Sequence, residues 1–333
     1  MQKSQINLGR VLYASGNTLY LARGAKILQS SDCGTSWKVW ASLPVGFWQR
    51  LAMQFPFLLR LLRLGIHHLT FCGEKGVVIA NKASYLIEKG RVHPLGPVKG
   101  SRPMVICSTG DAVYYGEYRS NPERSPVHIY RLDTASHSWT SVWRFEGVRH
   151  VHGVFYDSYD KALWVTTGDD NNEASIWRSD DQFQTLQKVV GGTQQLRAVQ
   201  LLFSYNYIYF GSDTPDEPNF LYRMDRSGKH IERLQAVNGS VFYGCIVGRS
   251  LFFSTAVEPS TVNTSRSAEV WRSDDGVHWF KIFDFKKDSL SMKYFQYGQV
   301  LFPNECGQKD ILYCSPFATQ KHGTTLSIDL SSI

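Results

Sequence analysis

The chain has no Cys-x-x-Cys pair, no block of five or more basic residues and no uninterrupted apolar run of membrane-spanning length. Each absence removes a class of protein. A zinc ribbon needs paired cysteines. A dedicated nucleic-acid surface needs concentrated positive charge. Here the net charge of +7, from 36 Lys and Arg against 29 Asp and Glu, is spread along the chain and interleaved with acids, so no nucleic-acid partner is expected. The longest apolar stretch, residues 47–64, is broken by Arg50, Arg60 and Arg63, which argues against a clean transmembrane helix. The first residues, MQKSQINLGRVLYASGN, lack the continuous apolar core of a signal peptide. The six cysteines mostly sit in apolar runs and read as buried thiols of a cytoplasmic protein. There is no Gly-x-Ser-x-Gly elbow, phosphate-binding loop or dinucleotide fingerprint, so serine-hydrolase, kinase and dehydrogenase chemistry have no support and no cofactor is expected.

What is present is a repeat. Residues 25–37 read AKILQSSDCGTSW, 175–186 SIWRSDDQFQTL and 268–279 AEVWRSDDGVHW. Weaker copies are 128–139 (HIYRLDTASHSW) and 220–231 (FLYRMDRSGKHI), and a degenerate one is 84–92 (SYLIEKGRV). The aligned acids, Asp32, Glu88, Asp133, Asp181, Asp225 and Asp275, are 56, 45, 48, 44 and 50 residues apart. Each copy is an alternating strand, a turn rich in Asp, Ser and Gly, and a large apolar residue opening the next strand. Ser and Asp cap backbone N–H groups in such turns and Gly tolerates positive φ, so a rigid hairpin explains the motif without chemistry. Aromatics at 14% also favour strands. A period of 45 to 50 residues with several strands per unit predicts propeller blades.

Ser30-x-Asp32-x-Gly34-x-Ser36-Trp37 resembles the Asp-box of sialidases and related β-propellers, and Ser273-x-Asp275-Gly276-x-x-Trp279 is a version one residue shorter. In the copy ending at Leu186, Phe183 replaces the Gly. The stretch 116–213 is also similar to an uncharacterised group of bacterial Asp-box propellers. The expected fold is therefore an all-β propeller of seven four-stranded blades in one domain, residues 1–333, with six blades as the alternative. Inner strands are predicted at residues 9–14, 65–71, 102–107, 149–155, 197–203, 240–247 and 294–302. An N-terminal strand at 4–8 would supply the fourth strand of the last blade.

Three successive inner strands begin with Arg102, Arg149 and Arg197, 47 and 48 residues apart. The second strands of the same blades end at Glu117, Asp169 and Asp213. In an antiparallel pair the start of one strand lies beside the end of the next. This predicts the pairs Arg102–Glu117, Arg149–Asp169 and Arg197–Asp213 on one face, close to the axis, with the Ser-x-Asp turns on the other. Structural ion pairs are one reading. The other is a funnel that binds an anionic group through guanidinium forks, with the acids trading protons. Sialidases bind their substrate carboxylate with three inner-strand arginines, so the resemblance implies an acidic sugar held by Arg102, Arg149, His152, Arg197 and Asp213. Glu117, Asp169 and His150 would be catalytic, in glycoside hydrolysis or lyase chemistry. No Arg-Ile-Pro motif precedes the first Asp-box, and no motif marks a tyrosine nucleophile among Tyr243, Tyr294 and Tyr297.

His150 and His152 face the same side of a strand, since side chains repeat every second residue. Ordinary hydrogen-bonded histidines are expected and no metal is assigned. The alternative is a divalent metal with Glu117 or Asp169, as in the metal-dependent propeller lyases that act on uronic-acid oligomers.

Residues 45–64, VGFWQRLAMQFPFLLRLLRL, form an insertion between blades one and two that Pro56 divides. Its apolar groups with interspersed Arg50, Arg60 and Arg63 predict a helix packed on the propeller, a membrane-surface segment or a protein-docking surface. The second functional expectation is accordingly a non-catalytic scaffold that docks a protein partner or membrane surface through residues 47–64, peripheral at the membrane in the latter case.

Overall fold

A computed structural model describes residues 3–307 and 310–331. The chain forms a seven-bladed β-propeller built from seven antiparallel sheets. The inner strands, from blade one to blade seven, are Arg10–Ser15, Ile66–Cys72, Ile106–Ser108, His150–Asp157, Ala198–Phe203, Val241–Val247 and Gln299–Leu301. Six blades is thereby set aside. The last inner strand is shorter than the expected 294–302, because Met292–Phe295 is one turn of helix. Tyr294 therefore points into solvent on the link before blade seven.

Blade seven takes three strands from the C-terminal part of the chain and its outermost strand, Lys3–Ile6, from the N-terminal part. Ser4 pairs with Ser327 and Ile6 with Thr325. The Thr325 hydroxyl donates to Gly9 O at 2.9 Å and accepts from Val11 N at 3.2 Å, tying this seam to blade one. Cys306–Gly307 adds a short parallel bridge to the inner edge of blade one.

Packing follows position within a blade. The second strand of blade four, Ala162–Gly168, is buried at every residue because neighbouring blades cover both of its faces. The outer strand Ser138–Phe145 buries only one residue fully. Blades three and four share one cluster, in which Tyr114, Ile129, Val151, Val154 and Val165 interdigitate. No cysteine is disulfide-bonded, and Cys72, Cys245, Cys306 and Cys314 are buried while Cys33 and Cys107 are half-buried.

The Ser-x-Asp turns join third and fourth strands, as the motif implies. Ser30 Oγ accepts from Gly34 N at 2.8 Å, Asp32 accepts from Ser36 N at 2.9 Å, and the Trp37 indole donates to Gly34 O at 3.0 Å. The copy at Ser179 repeats this with Phe183 N in place of Gly34 N. Phe183 keeps the positive φ of the glycine it replaces, 71°, and its buried ring packs on Tyr114. Core burial thus offsets an unfavourable backbone conformation.

The insertion is two short helices, Phe47–Ala52 and Pro56–Leu61, with Pro56 at the first helical position where its missing N–H costs nothing. The second helix packs on Met292–Phe295, with the rings of Phe57 and Phe295 4.8 Å apart. Of the three interspersed arginines, Arg60 is buried: it pairs with Asp288 and donates to Phe295 O at 2.7 Å.

Ser30→Ala should lower the urea midpoint, by a loss of about 1 kcal/mol, since Gly34 N–H loses its buried acceptor. An unchanged midpoint would mean that the turn hydroxyl does not support the hairpin.

Candidate functional site

The starts of the inner strands and the ends of the second strands meet in an axial channel. The ladder register decides which charges pair there. In blade four His150 lies opposite Gly168, so Arg149 falls opposite Asp169, and the two form an ion pair at 3.1 Å. In blade five Ala198 lies opposite Ser212, which brings Arg197 to Asp213 at 3.2 Å. Both pairs match the sequence expectation. Arg197 also crosses to Asp169 of the preceding blade at 3.0 Å.

Blade three differs. Ile106 lies opposite Tyr115, so the register would set Glu117 against Met104, two residues short of Arg102. Pro103 follows Arg102, and the strand begins only at Ile106. Glu117 pairs instead with Arg119 at 2.9 Å and with the His128 ring at 3.3 Å, in its own blade. The expected Arg102–Glu117 pair is not formed.

Freed from Glu117, Arg102 turns to a basic group. One of its nitrogens is 3.4 Å from His67 Nδ1, and it feels the charge of Arg63. Arg10, at the start of blade one, joins this cluster beside Tyr243. Burial, with the nearby Arg102, brings the Arg10 guanidinium down to about 10, and burial likewise lowers Arg102. Burial, then the arginines, hold His67 well below its ordinary value, and His68 falls to about 3, so both rings are neutral near pH 7. Among the described residues no carboxylate pairs with Arg10 or Arg102, and Arg10 Nε has no hydrogen-bond partner. Two desolvated, unpaired guanidiniums are costly unless an anion completes them.

The opposite wall is balanced. Asp169 Oδ1 lies 3.1 Å from His150 Nε2 and 3.4 Å from His152 Nε2. Burial would raise its acid, but the two histidine rings set against it and the Arg197 charge overcome that and hold it well below the usual carboxylate range. Burial lowers His152 to about 4. His150 Nε2, His152 Nε2 and Asp169 Oδ1 lie close enough together to hold a metal ion. Tyr118 packs at a tilt against His150, ring centres 4.2 Å apart, and stands between the two walls. Asp213 behaves oppositely to Asp169. Burial pushes it up to about 7 against the pull of Arg197, Glu258 adds to the rise, and its Oδ1 has no partner.

The structure thus brings Arg102, Arg149, His150, His152, Asp169, Arg197 and Asp213 to one channel and leaves Glu117 tied up within its blade. Arg10, His67, His68, Tyr118 and Glu258 belong to the site and were not singled out in the sequence. Arg10 was detectable, since it opens its inner strand as Arg149 and Arg197 precede theirs.

No family model matches the chain, and no curated protein matches it in sequence. Its shape matches solved propellers. YCF48 bound to D1 peptide superposes with a TM-score of 0.60 at 9% identity, covering 98% of this chain and 96% of that one. Oligogalacturonate lyase in complex with manganese gives 0.59 at 10% identity, over 97% and 90%. A chain of the mitotic checkpoint complex gives 0.59 at 12%, over 97% and 89%. At these identities the likeness is one of fold: the chain is a β-propeller.

Because Asp213 is raised from 3.8 to about 7, the folded state keeps a proton that the unfolded chain releases from about pH 4 upward. Its stabilisation is full below that value and is lost as pH rises through 7. Asp213→Asn should flatten this part of the pH dependence of thermal unfolding. An unaltered slope would show that Asp213 titrates normally.

Proposed function

We propose that the chain is a binding propeller whose axial channel takes an acidic carbohydrate by its carboxylate. The observation that carries this reading is the Arg10, Arg102, His67 and His68 cluster, half-buried in the channel with no carboxylate among the described residues paired to either arginine. Guanidinium forks match a carboxylate in bidentate fashion, and the low-dielectric wall strengthens the contact. The Ser-x-Asp turns add the resemblance to sialidase-like propellers, which hold a sugar carboxylate with arginines. Recognition is favoured over cleavage by the state of the acids. Glu117 is engaged by Arg119 and His128, and Asp169 by two arginines and two histidines, so neither is free to move a proton. Asp213 is the carboxyl able to do so near neutral pH.

The test is a binding screen of sialic, uronic and ulosonic acids, free and oligomeric, with turnover followed in the same wells. Wild type should bind, and Arg10→Ala and Arg102→Ala should each weaken binding by about tenfold or more. Product formation that Asp213→Asn abolishes would convert the reading to an enzyme. Failure of folded wild type to bind any acidic sugar would overturn it.

A second reading rests on the insertion. Phe47 and Trp48 are 72% and 78% exposed, and Leu51, Phe55, Phe57 and Leu62 are also exposed. No acid occurs between Asp32 and Glu74, and Arg50 and Arg63 face solvent. An apolar, aromatic and acid-free surface of this kind suits an anionic membrane interface. Among the described residues no helix is long and apolar enough to cross a membrane, so contact would be at the surface. Wild type should cosediment with anionic vesicles, and Trp48→Glu should reduce the bound fraction about tenfold. No vesicle binding by wild type would return this surface to a protein partner.

A further inference from the structure

We infer that His150, His152 and Asp169 form a binding site for one divalent first-row transition metal, of the zinc type, with a coordination position open to the channel. The first argument is the direction of the lone pairs. His150 Nδ1 is 3.3 Å from Arg119 O, and His152 Nδ1 is 3.1 Å from Ala198 O. A carbonyl oxygen only accepts, so each Nδ1 carries the hydrogen, and it is each Nε2 that is left to offer a lone pair toward Asp169. Those two nitrogens are 3.0 Å apart, and both face the Asp169 carboxylate oxygen. Three acceptors meeting at one point repel each other unless a cation sits among them. Backbone carbonyls that fix the outer nitrogen are also the usual support of a metal-binding imidazole.

The second argument is size. The three donor atoms make a triangle with sides of 3.0, 3.1 and 3.4 Å. Ligands around a tetrahedral ion with bonds of roughly 2.0 to 2.1 Å are separated by about 3.3 Å. The side chains therefore stand close to metal-binding positions before any ion arrives. Two imidazoles and one carboxylate suit a borderline-soft ion better than calcium or magnesium, which favour oxygen-rich sites.

The third is a space kept open for one ring. A Cβ on Gly168 would lie 2.7 Å from His152 Cε1, so this position admits the imidazole only as glycine. Gly168 directly precedes Asp169, and the same short segment thus seats one ligand and makes room for another.

Charge says what completes the coordination. Arg149 and Arg197 already reach Asp169, so a dication leaves the cluster with excess positive charge. Asp169 remains partly accessible from the channel, and the open position would take an anion or water arriving there. Binding of the ion itself does not rest on the sugar reading.

The test uses the full chain, stripped with a chelator and titrated with Zn²⁺ by calorimetry and with Co²⁺ by visible absorption, without any sugar. One equivalent should bind, with a four- or five-coordinate cobalt spectrum. His152→Ala and Asp169→Asn should each weaken binding by about 100-fold or more. His93→Ala/His137→Ala, which removes a second histidine pair with rings 5.2 Å apart, should leave it unchanged. If the site variants misfold, X-ray absorption of the wild-type zinc form should show two imidazoles with oxygen. Stoichiometric binding that survives in folded His152→Ala would overturn the proposal. So would no binding, with nitrogen NMR showing a doubly protonated His150 at pH 7, since the bridging cation would then be a proton.

Discussion

Pairing of Lys3–Ile6 with Thr325–Asp329 holds the two ends of the chain together, and the channel depends on it. Seven blades meet at an axis only when the ring is closed. Thr325 links blade seven to Gly9 and Val11 of blade one, one residue away from Arg10 on either side. The strand that closes the ring is thus joined directly to the backbone that positions Arg10 of the site.

Closure concentrates polar groups where they would otherwise be dispersed. The inner strands supply side chains from every side, and the channel sorts them by partner. Blades four and five contain their own acids, and Arg197 reaches across to link the two. Blades one to three present Arg10, Arg102 and neutral histidines, and their acid Glu117 is held by Arg119 and His128 instead of by these arginines. One wall is electrostatically complete and the other is not. Tyr118 and Tyr243 stand among these groups as large, weakly acidic walls, with Tyr118 pushed up to about 12 by burial and then by the carboxylates beyond it. This asymmetry gives a ligand a preferred direction: its anionic end toward blades one to three.

The two-helix insertion adds a second level of organisation at the same end of the propeller. Arg60 anchors it from beneath, lying over the rings of Phe295 and Phe317 and paired with Asp288. Arg63, at its end, comes near Arg102 and Tyr297 at the channel. An insertion fixed on its inner side and apolar on its outer side connects the channel mouth to whatever surface the protein meets.

Much of this was legible from residue spacing. The Ser-x-Asp turns recur because each blade needs the same hairpin, and a local hydrogen-bond pattern leaves a local sequence pattern. Arg149–Asp169 and Arg197–Asp213 were legible because both members lie in one antiparallel ladder, where alternation and strand ends set the partner. Arg102 followed the same spacing without the same outcome, since Pro103 and a late strand start break the ladder rule. The sequence by itself therefore determined the repeat, the blade and the pairings within a blade. Only the tertiary structure decided that Arg10, His67 and Arg102 share one unpaired cluster, and that Arg60 is an internal anchor while Trp48 faces outward. Those groups come from different blades or from an insertion with no repeat to align. Their contacts are created by closing the ring, and no local pattern encodes them.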